Sequence, residues 1–113
     1  MLVDVRAIGV NFPDLLMTKG QYQFRPDLPT VPGCEVAGQV VRAPEGSGST
    51  GDRVAAFVWQ GSFAEQAAIL LDSLGRVPDE VDFAAAAAMV VNYHTVLFAL
   101  FRRGRCSAER RCW

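Results

Sequence analysis

The stretch PTVPGCEVAGQVV, residues 29–41, decides the fold. Pro29 and Pro32 fix their own φ and push the preceding residues toward extended backbone, so the approach is a loop. From Cys34 onward the character changes. Val36, Val40 and Val41 are β-branched, and the run reads as a strand. Gly38 within that strand marks a place where another backbone comes close. Glu35 puts a carboxylate at an apolar strand start, and a buried acid needs a partner. Arg53, in GDRV, is the candidate, and a structural ion pair is the expected role for Glu35.

The pattern extends in both directions from there. LVDVRAIGVN, from Leu2, alternates: Val3, Val5 and Ala7 share one face, with Asp4 and Arg6 on the other. The phase slips at Ile8 and Val10, and Gly9 is the expected bulge. NFPDLLMTKG predicts a helix of about two turns, with Pro13 and Asp14 suited to its first turn and Gly20 to its stop. QYQFRPDLPTVPG is loop. PEGSGSTGD is turn material, and RVAAFVW and SFAEQAAIL read as strands. Asp82 suits the N-cap of a helix built on Ala84 to Ala88. That helix continues through VVNYHTVLFALFRR to Gly104, with a break expected near Asn92. The order is mainly β with short helices, an α+β arrangement of antiparallel, barrel-like kind ending in a helix.

With 113 residues the chain has room for one small domain, and half of it is apolar, so it is globular material. A formal net charge of −1 gives no concentrated basic surface for nucleic acid. The apolar run from Phe83 to Val91 is short of a membrane span, so no membrane partner is expected. No basic segment precedes an apolar one at Met1, and Cys34, Cys106 and Cys112 form no even disulfide framework. A cytoplasmic location is the expectation.

Several motifs carry less than they spell. GSGSTG, residues 46–51, matches G-x-G-x-x-G, but a strand follows it where a pyrophosphate-binding loop needs a helix. It is a turn. The spacing of cysteines with the single histidine, His94, offers no metal site. His94 reads as a helix-surface residue, and Cys34 as a small buried one.

In this order, VRAIGVNFPD, KGQY, PTVPGCEVAGQV, GDRV, GSFAE and VPDEVDFAAAAAMVVNYHT resemble the catalytic, GroES-like domain of the medium-chain dehydrogenase/reductase superfamily, and within it the zinc-independent quinone oxidoreductases. The resemblance covers about residues 2 to 105. It implies a partly open GroES-like β-barrel, truncated at both ends, whose last helix leads toward an absent Rossmann domain. Zinc enzymes of the superfamily carry ligands where this chain has Asn11 and Cys34, so no zinc is expected. The resemblance implies NADPH as hydride donor and a quinone or an enone as substrate, with full-length relatives forming homo-oligomers. It assigns Asn11 to hydrogen-bond the substrate carbonyl and Tyr22 to stack on a flat ring and offer its hydroxyl. Asn92, Tyr93 and Thr95 match the segment that approaches the nicotinamide. A further pocket tyrosine of some relatives falls on Leu16 here. Local helix capping is the alternative role for Asn11, and an ordinary loop aromatic the alternative for Tyr22.

Residues 1–104 are thus expected to form a partial catalytic domain, and 105–113 an aberrant tail such as a one-base frameshift at Arg105 would leave. The fragment alone is expected to be inactive. An enoyl-thioester reductase piece, a non-catalytic GroES-like binding module and a vestigial truncated product stay open as alternatives.

Overall fold

Residues 1–106 are described by a computed structural model of the chain. The expected tail falls mostly beyond them: from Ser107 on it lies outside the described residues. The elements are β1 (Leu2–Gly9), α1 (Phe12–Thr18), β2 (Glu35–Arg42), β3 (Arg53–Phe57), β4 (Gln66–Ala68), β5 (Leu74–Arg76) and α2 (Phe83–Leu97). They form one antiparallel sheet in the order β4-β1-β2-β3-β5, with its ends unclosed. A mainly β, open arrangement is what the sequence pattern and the GroES-like resemblance together imply. Two elements differ from the expectation. SFAEQAAIL yields only the three-residue β4, because Phe63 to Glu65 bend before it. The short β5 follows a single 3₁₀ turn at Leu71–Ser73 and carries no alternation to announce it.

Strand alternation gives the sheet two apolar faces. Val3, Val36, Val40, Val54, Ala56, Ala67 and Ile69 build one core. Ala37, with Ala7 and Ala55 beside it, faces the other way and meets Ala86 and Ala87 of α2. This second interface is made mostly of methyl groups, which lets the helix lie close on the sheet. It accounts for Ala86 and Ala87 of the five-alanine run; Ala84, Ala85 and Ala88 are exposed. Simple alternation would put Ala7 on the face of Val3 and Val5. The register with β2 slips between Val5 and Ala7, and that irregularity carries Ala7 across to the helix side. The bulge therefore lies at Arg6, three residues before the expected Gly9.

Gly9 has another role: a Cβ there would lie 1.8 Å from Glu35 Oε1. Gly38 is the close approach the sequence indicates, since a Cβ would lie 2.0 Å from the Asp4 carbonyl oxygen and 2.9 Å from Val3 Cγ1. The glycines of the GSGSTG turn instead adopt positive φ, 76° at Gly46, 142° at Gly48 and 92° at Gly51.

Asp82 caps α2 by accepting the Ala85 N–H at 2.8 Å. Arg53 fastens the approach to this helix. Its Nη2 donates to the Val81 carbonyl, its guanidinium lies 4.0 Å from the centre of the Phe83 ring, and its Nε is 3.7 Å from Asp79 Oδ1. The expected Glu35–Arg53 pair is therefore not made. Across the strands Arg53 stands opposite Gln39 and Glu35 opposite Phe57, so the two charges are a strand length apart.

The expected break near Asn92 is also absent. The helix runs on to Leu97 and continues, wound as a π-helix, through Phe98–Arg103. The helical span Phe83–Arg103 has 21 residues and a mean hydropathy of 1.7 in its most apolar part, long and apolar enough to cross a membrane by length and composition alone. The nine-residue run from Phe83 to Val91 ends at Asn92, where the apolar character only pauses. From Asn92 to Arg105 every residue is exposed, including Val96, Leu97, Phe98, Leu100 and Phe101.

Gly38→Ala should lower stability by about 2–3 kcal/mol, the cost of overpacking against a backbone that cannot yield. Gly46→Ala, with nothing within 4 Å of its Cβ position, should cost only about 1 kcal/mol for its left-handed backbone. Urea unfolding of both variants checks the order; equal losses would refute the close approach at Gly38.

Candidate active site

Glu35 is the centre of the site. It is 1% exposed, the bulkiest of the fully buried side chains. Its partners are not charges. Asn11 Nδ2 donates to Oε1 at 2.8 Å, and the backbone N–H of Val91, inside α2, donates to Oε2 at 2.8 Å. Hydrogen bonds to an ionised acceptor are the strong kind, and here they satisfy a buried acid with two neutral donors. The arrangement joins three elements: the start of α1, the start of β2 and the middle of α2.

Asn11 is the N-cap of α1, the alternative role that the sequence leaves open, and faces Asp14 across a capping box. The hydrogen bonds there run between Asn11 N–H and Asp14 Oδ2 at 2.7 Å, and between Asp14 N–H and the Asn11 backbone carbonyl at 3.0 Å. The Asn11 side-chain oxygen faces the Asp14 N–H across this box without closing a cap hydrogen bond to it. The amide is turned instead toward Glu35 and, at 3.5 Å, toward Cys34 Sγ. A carboxylate has only lone pairs to offer, so the nitrogen and not the oxygen of the amide must face it.

Two buried acids flank one buried thiol. Asp14 is 2% exposed, and among the described residues its Oδ1 has no hydrogen-bond partner. In the sequence Asp14 reads only as a favourable charge in a helix's first turn, with nothing to signal its burial. Burial, then the charges of Asp14 and Glu35, push the Cys34 thiol up from 9.0 to about 11, against a smaller opposing effect of the Asn11 hydrogen bond. A thiol so placed stays protonated near neutral pH, which does not suit a nucleophile. Among the described residues no three His, Cys, Asp or Glu side chains come together to hold a metal ion.

The segment expected near a nicotinamide lies on α2 directly after the Val91 anchor. Asn92, Tyr93 and Thr95 are all exposed. Asn92 Nδ2 reaches back to the Ala88 carbonyl at 3.5 Å. Tyr93 lines a cleft of about 610 Å³ between α2 and the β3–β5 edge, with Phe57, Leu74, Val77, Met89 and Leu97 among its walls. His94, a surface residue by its sequence pattern, also lines it. Its Nδ1 is 2.6 Å from the Val90 carbonyl, so Nδ1 carries the proton and Nε2 is left to accept. Periodicity alone cannot find this role, since the cleft is made by the distant β5. Tyr22 sits apart, half-buried in the loop after α1. The structure thus joins Asn11 and the Val91 N–H to one carboxylate; among the described residues no hydrogen bond joins Asn92, Tyr93, Thr95 or Tyr22 to it.

Alkylation of Cys34 by iodoacetamide at pH 8 should be roughly a hundredfold slower than that of an exposed thiol. It should rise about tenfold per pH unit up to about pH 10, because only the thiolate reacts. Peptide-resolved mass spectrometry reads this at Cys34 separately from the other cysteines. Labelling with a midpoint near an ordinary thiol's pKa, about 8.5, would contradict the effect of burial.

Comparison with known proteins fits this geometry. The family model for the alcohol dehydrogenase GroES-like domain matches residues 1–97. A quinone oxidoreductase-like protein 2 homolog from Nematostella vectensis is 39% identical over 101 residues, covering 87% of this chain and 28% of that protein. The crystal structure of a probable oxidoreductase from Mycobacterium abscessus superposes with a TM-score of 0.90 at 51% identity, over 95% of this chain and 35% of the other. The quinone oxidoreductase from Thermus thermophilus, also solved in complex with NADPH, superposes with a TM-score of 0.78 at 37% identity, over 91% of this chain and 32% of the other. The chain therefore spans about a third or less of the length of these relatives. With residues 1–97 matched, it belongs to the alcohol dehydrogenase GroES-like domain family, among the quinone oxidoreductase-like members of the medium-chain dehydrogenase/reductase superfamily.

Proposed function

We propose that this chain is the substrate-side part of an NADPH-dependent oxidoreductase that reduces quinones or enones, without zinc. The observation that carries the reading is the Glu35 bridge. It fixes Asn11 and the α2 backbone beside Asn92–Thr95 to one buried group, on the chain segments that match quinone oxidoreductase-like relatives. NADPH would supply the hydride. Among the described residues no glycine-rich loop opens a helix to seat its pyrophosphate. GSGSTG turns between β2 and β3 rather than opening a helix, so no helix N-terminus there faces a pyrophosphate. The chain's own contribution is on the substrate side. Tyr22 would offer a hydroxyl to oxygen that gains charge during reduction. In this reading the exposed apolar length of α2 is the surface that the remaining two thirds of such an enzyme covers, and the 113-residue chain alone is inactive.

Two measurements test it. The isolated chain should oxidise no NADPH with 1,4-benzoquinone or 2-cyclohexenone, and NADPH fluorescence should show no saturable binding below about 1 mM, an affinity of only about 4 kcal/mol. A chimera carrying residues 1–97 in place of the matching domain of the Mycobacterium abscessus oxidoreductase should reduce one of these substrates. In that chimera Tyr22→Phe should lower kcat/KM by about a hundredfold, the usual weight of a positioned acid. A chimera that folds and binds NADPH yet reduces neither substrate would sink the proposal.

A further inference from the structure

We infer that Glu35 sets the hydrogen-bonding polarity of Asn11, turning its NH₂ inward so that its Oδ1, an acceptor, is what Asn11 presents to a ligand. Counting donors leads there. The amide nitrogen has two hydrogens. One goes to Glu35 Oε1 at 2.8 Å and the other faces Cys34 Sγ at 3.5 Å. Val91 N–H already occupies Oε2, so the carboxylate has no freedom to release Asn11 by rotating. What remains is Oδ1, which faces the Asp14 N–H across the capping box without closing a cap bond to it, that N–H being taken by the Asn11 backbone carbonyl at 3.0 Å. Gly9 keeps this orientation locked, because its missing Cβ is the space that Glu35 fills.

For ligand recognition the consequence is a reversal of the role that the family resemblance implied. An acceptor at Oδ1 repels a carbonyl oxygen and receives a hydroxyl or a carboxamide N–H. On the functional reading above, Asn11 would therefore hold a donor group of the bound partner and leave the substrate carbonyl to Tyr22. Glu35 is a positioning residue in this scheme and touches no ligand.

The same count says how to invert the device. In Glu35→Gln, Val91 N–H still demands an acceptor, so the oxygen of the introduced amide must stay where Oε2 was. The NH₂ of that amide then faces Asn11 and turns the Asn11 side chain over, Oδ1 inward and NH₂ outward. A hydrogen bond is kept at both ends of the replaced side chain, so the variant should fold.

The test uses the full chain labelled with ¹⁵N. In the wild type the Asn11 side-chain NH₂ should exchange with water slowly, and in Glu35→Gln at least about tenfold faster, as protection by a hydrogen bond is lost. Millimolar nicotinamide, which carries N–H donors, should shift the Asn11 signals of the wild type. Millimolar 2-cyclohexenone, which can only accept, should shift them in Glu35→Gln alone. Equal exchange in the two proteins, or a 2-cyclohexenone shift already present in the wild type, overturns the inference. The wild-type exchange rate decides by itself if the variant does not fold: fast exchange there also overturns it. Should the exchange contrast hold while neither probe shifts any residue, the orientation of Asn11 stands and the substrate-side reading of the chain fails.

Discussion

A carboxylate buried with no cation paired to it among the described residues is the constraint that organises this domain. Glu35 lies at the start of the central strand, and its negative charge would be costly there without donors. The chain supplies one from each neighbouring helix, the Asn11 amide and the Val91 N–H. Glycine at position 9 makes room for it. These contacts span 24 and 56 residues of sequence. The loop leading to α1, the strand β2 and the second half of α2 are therefore placed relative to each other by one side chain. The methyl-on-methyl contact between the sheet and α2 brings the helix near; the carboxylate sets how far along its axis it lies.

Much of this fold is legible in the sequence because it rests on local chemistry. Alternation reveals β1, and the β-branched and apolar runs β2 and β3; Pro13 and Asp82 mark helix starts; Gly38 announces a close approach, and the glycines of residues 46–51 a turn. What sequence alone does not yield depends on tertiary contacts. The bulge falls at Arg6, because Ala7 must cross to the small-residue face under α2, and nothing in LVDVRAIG encodes that need. The Glu35–Arg53 pairing is a natural inference from charge, yet strand register holds Arg53 four residues away, over Phe83 and the Val81 carbonyl. Of the site, Asn11 is legible as a cap or as a ligand group, and it stands at a cap position with its amide turned to Glu35. His94 and Asp14 are illegible in their structural roles, since a cleft wall made by β5 and the burial of a first-turn acid have no sequence signal.

The outer half of α2 presents a different physical situation. A helix apolar on all sides is normally covered, and among the described residues nothing covers it beyond Asn92. The inner half is held by alanine contacts and the Glu35 bridge; the outer half has no packing partner within the described residues. Its order comes from the anchored segment before it, as a rod is held at one end. The same anchor would align such a helix for whatever surface closes over it.

Gly9 and Glu35 face each other across β1 and β2, and each is intelligible only through the other. Any side chain at position 9 collides with the carboxylate, and a shorter residue at 35 would leave a hole under Gly9 with two stranded donors. Sequence drift at these two positions is therefore not independent. A lineage that put a shorter or apolar residue at 35 would have to refill the space and re-employ the Asn11 amide and the Val91 N–H in the same episode. This makes the pair epistatic: what position 9 tolerates is set by the size of the side chain at 35.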